Sequence, residues 1–184
     1  MIFFMVTYSS MKQYKVALFI GRFQPFHNGH LYSFNKAFEL ADKVIVGIGS
    51  SQESGTENNP WNYETRKKMV ESLLAQAGLP GDSRKVIVVP VPDMFDDKKW
   101  GELIIEIIKN EGLSPAEVVA VGNNDWTNKI VRGVGVKVFE TGLYNRDELE
   151  GIKIRELQKI NDVQWKKRVP ESVVKYLEEY DKQN

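Results

Sequence analysis

Val16-Ala17-Leu18-Phe19-Ile20-Gly21-Arg22-Phe23-Gln24-Pro25-Phe26-His27-Asn28-Gly29-His30 passes from five apolar residues, through a turn marked by Gly and Pro, into a helical pattern that runs to Leu40. The apolar run predicts a buried parallel strand, and the residues beyond the turn predict a helix with its body over Leu31–Leu40. Both histidines of the chain lie at this junction, three positions apart. At a helix N-terminus, unpaired backbone N–H groups and the positive end of the helix dipole favour bound phosphate. The pair therefore predicts a site that handles phosphate. Zinc is the other chemistry that paired histidines suggest. The chain has no cysteine, and the pair lacks both i, i+4 spacing and a companion glutamate, so the residues speak against a metal site.

Outward from this junction, apolar runs alternate with helical patterns along almost the whole chain. Strands are predicted at Lys15–Ile20, Val44–Ile48, Lys85–Val89, Glu117–Val121 and Val136–Phe139, with helices at His30–Leu40, Tyr63–Gln76, Lys99–Asn110 and Asp125–Val131. This alternation predicts an α/β, doubly wound (Rossmann-like), five-stranded parallel sheet with helices on both faces. Ligands of such sheets bind beyond the carboxyl ends of the strands, where the strand order reverses. A helical addition is expected from about residue 150, with Pro170 in the first turn of a last helix. Residues 15–184 are read as one domain, and residues 1–14 as an N-terminal extension in which Met1–Val6 could add an edge strand. The polar loop Gly49–Asn59 is expected to be the most mobile segment.

Lysine plus arginine and aspartate plus glutamate balance at 25 each over 184 residues, which is not the basic excess of a nucleic-acid binder. The expected ligand is small. Absence of cysteine removes a disulfide framework and a thiol nucleophile, and fits a cytoplasmic setting. No segment has the length of a membrane span.

The run Gly21–His30 carries the H-x-G-H signature of the nucleotidyltransferase superfamily, and its fuller form resembles the archaeal type of nicotinamide-nucleotide adenylyltransferase. Further pieces follow in order: Ile48-Gly49-Ser50-Ser51-Gln52, Asn59-Pro60-Trp61 leading to Arg66, and Asp93 followed by Trp100. Gly122-Asn123, Tyr144-Asn145-Arg146, Gly151 with Arg155, and Trp165 leading to Val169-Pro170 complete the series. One departure concerns the late signature Ser-Gly-Thr-x-Ile-Arg, in which hydroxyls flank the glycine. Here Glu150 and Ile152 occupy those positions. A carboxylate facing ATP phosphates repels them, unless it turns to solvent or helps hold magnesium.

The resemblance implies AMP transfer from ATP to nicotinamide mononucleotide, giving NAD and pyrophosphate, with Mg2+ arriving on ATP and no dedicated protein metal site. It implies that His27, His30, Arg22 and Arg155 act on the phosphates. Gly21, Phe23, Gln24, Gly29, Gly122, Asn123 and Gly151 would contact ATP. Ser50, Gln52, Trp61, Arg66, Asp93 and Trp100 would contact the mononucleotide, with Trp100 stacked on its ring. Arg146 is a weaker candidate, and Trp126 and Trp165 are assigned to packing. A homo-oligomer is also implied. Two other readings stay open: an adenylyl- or cytidylyltransferase acting on another phosphorylated acceptor, and a catalytically impaired nucleotide-binding regulatory protein.

Overall fold

The computed structural model describes residues 12–78, 85–142, 144, 145 and 147–182. The stretch Met1–Val6 and Arg146 lie outside them. Five strands, β1 (Tyr14–Gly21), β2 (Ala41–Gly49), β3 (Val86–Val91), β4 (Val118–Val121) and β5 (Lys137–Phe139), form one sheet in the order β3-β2-β1-β4-β5. Every pair is parallel.

The helices are α1 (Asn28–Leu40), α2 (Tyr63–Gln76), α3 (Asp97–Asn110), α4 (Asp125–Gly133), α5 (Gly151–Lys159) and α6 (Glu171–Asp181). Period-two alternation sends neighbouring strand residues to opposite faces. Ala17, Phe19, Val44, Val46, Ile48, Val119 and Val121 pack with α1, α2, α5 and α6. Val16, Leu18, Ile45, Val118 and Ala120 pack with α3 and α4. The sheet is therefore covered on both sides, as its continuous apolar strands require.

Local chemistry sets where the elements begin. Asp96 caps α3 by accepting from Lys98 and Lys99 N–H, which starts the helix two residues before its expected Lys99. Asn62 caps α2 and Asn124 caps α4 in the same way. Glu117, expected in β4, closes a short 3-10 turn over Pro115–Glu117 instead. β3 reaches Val91 and includes Pro90, which an edge strand tolerates because one side of its backbone makes no ladder bonds. The C-terminal helices join the first core layer through Ile154, Trp165, Val169, Val173 and Leu177. The reversal of strand order falls between β1 and β4, so the loops after these two strands flank one crevice.

Candidate active site

The junction after β1 builds its geometry out of helix capping. His27 is the N-cap of α1 and His30 occupies its N3 position. The His30 N–H donates to His27 Nδ1 at 3.3 Å, and the His27 N–H donates to His30 Nδ1 at 3.2 Å. Two orphan amides are thereby satisfied by two imidazoles, in the positions of a capping box. An Nδ1 that accepts carries no proton, so each neutral ring keeps its proton on Nε2. The rings stack with centroids 3.6 Å apart, and Phe23 and Phe26 pack on His30 at 4.9 and 5.4 Å.

Burial lowers the His27 pKa to about 4, against a smaller upward pull from Glu150. Burial, and then His27, hold His30 well below its usual 6.5. Both residues are thus neutral hydrogen-bond donors at pH 7. A Cβ on Gly29 would lie 3.1 Å from the His27 ring, so glycine leaves this imidazole its place.

The histidines open onto a cleft of about 820 Å³ lined by residues following β1, β2, β3 and β4 and by the start of α5. Gly21, Arg22, Phe23, Gln24, Gly29, Ser50, Asp93, Trp100, Gly122, Asn123, Gly151 and Arg155 all line it. Glu150 and Ile152 do so as well, with the Glu150 carboxylate 3.6 Å from Lys153 Nζ. Arg22 is exposed, and its charge lowers the pKa of Arg66 and Arg155, each already lowered by burial. Three guanidinium groups thus surround the loop after β1, a field suited to polyphosphate.

Several expected contacts are redirected. Arg66 is fully buried, and its guanidinium donates to the carbonyls of Asn62, Arg22, Gly49, Ser50 and Glu53. Its donors are committed to the backbone, so it shapes the loops after β1 and β2, and its side chain does not line the cleft. Trp61 lies in the core away from the cleft lining, held by reciprocal hydrogen bonds between its backbone and the buried Gln24 amide. That clasp also occupies the Gln24 side chain. Gln52 stands outside the lining and accepts from the Asp93 N–H at 3.0 Å, tying the loops after β2 and β3 together.

Asn123 donates to Thr141 Oγ1 and the Gly142 carbonyl, fastening the segment after β5, while Gly122 leaves open space beside its Cα. Arg155 Nη1 donates to the Gln24 carbonyl at 2.6 Å and its Nε to the Glu57 carbonyl. Gly151 permits this approach, since a Cβ there would lie 2.6 Å from the Gln24 oxygen. The loop Gly49–Asn59, expected to be mobile, is held by Arg66, Arg155 and an Asn59–Glu53 hydrogen bond.

Trp100 lines the cleft but is only 2% exposed, with Trp126 against it at 4.8 Å and 55°. Trp126, assigned to packing, is 45% exposed on the cleft wall. Trp165 is buried in the core, as assigned. Nothing in the periodicity of α4 marks Trp126; only its place in the first turn after β4 could have drawn attention to it.

Residues 18–172 match the cytidylyltransferase-like family. A nicotinamide-nucleotide adenylyltransferase of Sulfolobus acidocaldarius is 35% identical over 161 residues, covering 88% of this chain and 87% of that protein. Another, of Archaeoglobus fulgidus, is 32% identical over 166 residues, covering 90% of this chain and 91% of that protein. Among solved structures, a bifunctional NMN adenylyltransferase/ADP ribose pyrophosphatase of Francisella tularensis, complexed with AMP and a manganese ion, superposes with a TM-score of 0.70 at 30% identity. The superposition covers 85% of this chain and 44% of that one, so the chain spans under half the length of the bifunctional enzyme. A strand-turn-helix junction with stacked histidines at the sheet's switch point and near-full-length likeness to these relatives lead to one assignment: the chain belongs to the cytidylyltransferase-like family and, within it, to the nicotinamide-nucleotide adenylyltransferases.

Proposed function

We propose that the protein transfers the adenylyl group of ATP to nicotinamide mononucleotide, releasing pyrophosphate and forming NAD. The observation that carries this reading is the pair of neutral, mutually capped imidazoles at the mouth of a cleft large enough for both substrates. The acceptor's phosphate has a second pKa near about 6, so it is already ionised and needs no general base. One of its oxygens bonds to the α-phosphorus while the bond to the bridging α–β oxygen breaks, and that oxygen leaves with pyrophosphate.

The chain's task is then alignment and charge stabilisation. His27 and His30 donate Nε2–H bonds to phosphate oxygens, and because they are neutral and fixed they need no rearrangement as charge shifts. Arg22 and Arg155 offset negative charge on the triphosphate. The N-terminus of α5, which Gly151 lets approach the loop after β1, adds its dipole there. Gly122 offers an open backbone edge to the adenine, and Ser50 and Asp93 face the acceptor.

Among the described residues no group of three or more His, Cys, Asp or Glu could hold a metal. Mg2+ arriving on ATP would supply charge neutralisation to the phosphates. Among the described residues no helix is long and apolar enough to cross a membrane. We assign residues 15–184 to one nucleotidyltransferase domain and place the protein in the cytoplasm as a homo-oligomer.

The test is NAD formation and pyrophosphate release with ATP, Mg2+ and nicotinamide mononucleotide. Nicotinic acid mononucleotide, phosphopantetheine and flavin mononucleotide serve as competing acceptors. NAD formed in preference to the other products supports the reading, and shows that Glu150 and Ile152 are compatible with turnover. Turnover confined to phosphopantetheine or flavin mononucleotide would reassign the acceptor. Nucleotide binding without turnover on any of the four would replace the enzyme by a binding protein.

A further inference from the structure

Gln24 stands in the turn that also carries the histidines, yet only 4% of it is exposed and its amide is spent on the protein itself. Its Nε2 donates to the Trp61 carbonyl at 2.9 Å and its Oε1 accepts from the Trp61 N–H at 3.2 Å, both in buried surroundings. One side chain thus satisfies both backbone groups of a buried residue that lies outside any helix or strand.

The main chain of Gln24 has a further partner. Its carbonyl accepts from Arg155 Nη1 at 2.6 Å, while Arg155 Nε donates at 3.1 Å to the carbonyl of Glu57, shortly before Trp61 in the loop after β2. Glu57 is drawn to α5 a second time, by the ion pair between its carboxylate and Lys159, one turn beyond Arg155. These contacts close a ring through the loop after β1, the loop after β2 and α5. Gln24, Asn58 and Arg155, one from each segment, line the cleft. Bonds at two different nitrogens fix the plane of a guanidinium and leave its remaining N–H groups for a ligand. Both carbonyls that fix it belong to the loops that the Gln24 clasp joins.

We infer that Gln24 is a positioning residue for the triphosphate: by joining the loops after β1 and β2, it holds the two carbonyls that aim the Arg155 guanidinium at the outer phosphates. The inference rests on the proposed activity and on the place of Arg155 in it. Arg155 makes the contact, and the Gln24 side chain touches no substrate. A methionine of similar length fills the same space but offers no amide, so the buried Trp61 groups lose their partners, the loops part and Arg155 loses its fixed plane. The cost falls where phosphate lies against Arg155, because a misaligned fork forfeits charge-assisted bonds while the other contacts of the nucleotide remain.

The test compares binding of a non-hydrolysable ATP analogue, AMP and nicotinamide mononucleotide to wild type, Q24M, R155A and the double variant, with circular dichroism to confirm that each is folded. Gln24→Met is expected to weaken the ATP analogue about tenfold, while AMP, which lacks the outer phosphates, and the mononucleotide stay within about twofold. In the Arg155→Ala background the same replacement should cost the ATP analogue less than about twofold, since the arginine it positions is gone. Gln24→Asn, which keeps the amide but shortens its reach, should show the same selective loss and serves if Q24M does not fold. In turnover the KM for ATP should rise, with that for the mononucleotide little changed. Equal weakening of the ATP analogue and AMP would overturn the assignment, as a general disturbance of the cleft, and so would a full cost that persists without Arg155. If wild type forms NAD and the folded Gln24 variant binds the ATP analogue as tightly as wild type, the assignment fails while the proposed activity stands. Wild-type protein that neither binds the ATP analogue nor forms NAD overturns the activity and this inference together.

Discussion

At the scale of single residues, the two imidazoles cap α1 through Nδ1 and keep their protons on Nε2, and their burial has consequences for acid stability. His27 has a folded pKa of about 4 against 6.5 in the unfolded chain, and His30 is shifted the same way. Below pH 6.5 the unfolded state therefore binds more protons, and stability falls as pH drops from 6.5 toward 4. For His27 alone the loss approaches about 3 kcal/mol at the acid end. Urea midpoints at pH 7 and pH 4.5 should show the decline, and His27→Gln should flatten it; an equal slope in that variant would contradict the burial argument. Replacing His27 or His30 by Ala should cut turnover by about two to three orders of magnitude, because each ring supplies a fixed donor to developing charge. Arg66 makes a different prediction, as it does not line the cleft and donates to five backbone carbonyls, three of them in the cleft-lining residues Arg22, Gly49 and Ser50. Arg66→Met should lower stability by about 3 kcal/mol or more by leaving buried acceptors unpaired, and should raise the KM values of both substrates together.

At the scale of elements, the site is made where helix starts meet strand ends, and α5 is the test case. Its first residue lies so close to the loop after β1 that Gly151→Ala would place a methyl carbon 2.6 Å from the Gln24 oxygen. Either α5 or the loop must then move, and the Arg155–Gln24 hydrogen bond is the first contact to suffer. Steady-state kinetics of G151A should therefore show a rise in the KM for ATP of about tenfold or more, with a smaller change for the acceptor. Equal changes for both substrates would show that α5 does not serve the ATP end alone. Asn62 caps the start of α2 through its side chain and does not line the cleft. Asn62→Ala should cost about 1 kcal/mol in a denaturation curve and leave the KM values unchanged.

At the scale of the whole molecule, the crevice draws its walls from both windings of the sheet. The loop after β1 faces the loop after β4, and the start of α5 adds a further wall. The succession of strands and helices along the chain and the parallel pairing of the strands were legible in the sequence, because they follow from the period and length of apolar runs, which are local; the strands' order in the sheet, and with it the place of the switch point, was not. Position of the histidines at the first of these junctions was legible for the same reason. What each cleft residue touches was not. Arg66 reads in sequence like any other phosphate-binding arginine, yet its partners include the Arg22 carbonyl, 44 residues away. Gln24 and Trp61 are 37 residues apart and clasp each other in the core. Trp100 and Trp126 pack against each other, yet the first is buried and the second half-exposed. Sequence by itself determined the elements, the parallel sheet and the place of both histidines at the first junction, since those depend on residue type and near-neighbour spacing. Only the tertiary structure decided which side chains face ligand and which are consumed by the fold, because a donor or a ring face is open or committed according to atoms brought to it from distant parts of the chain.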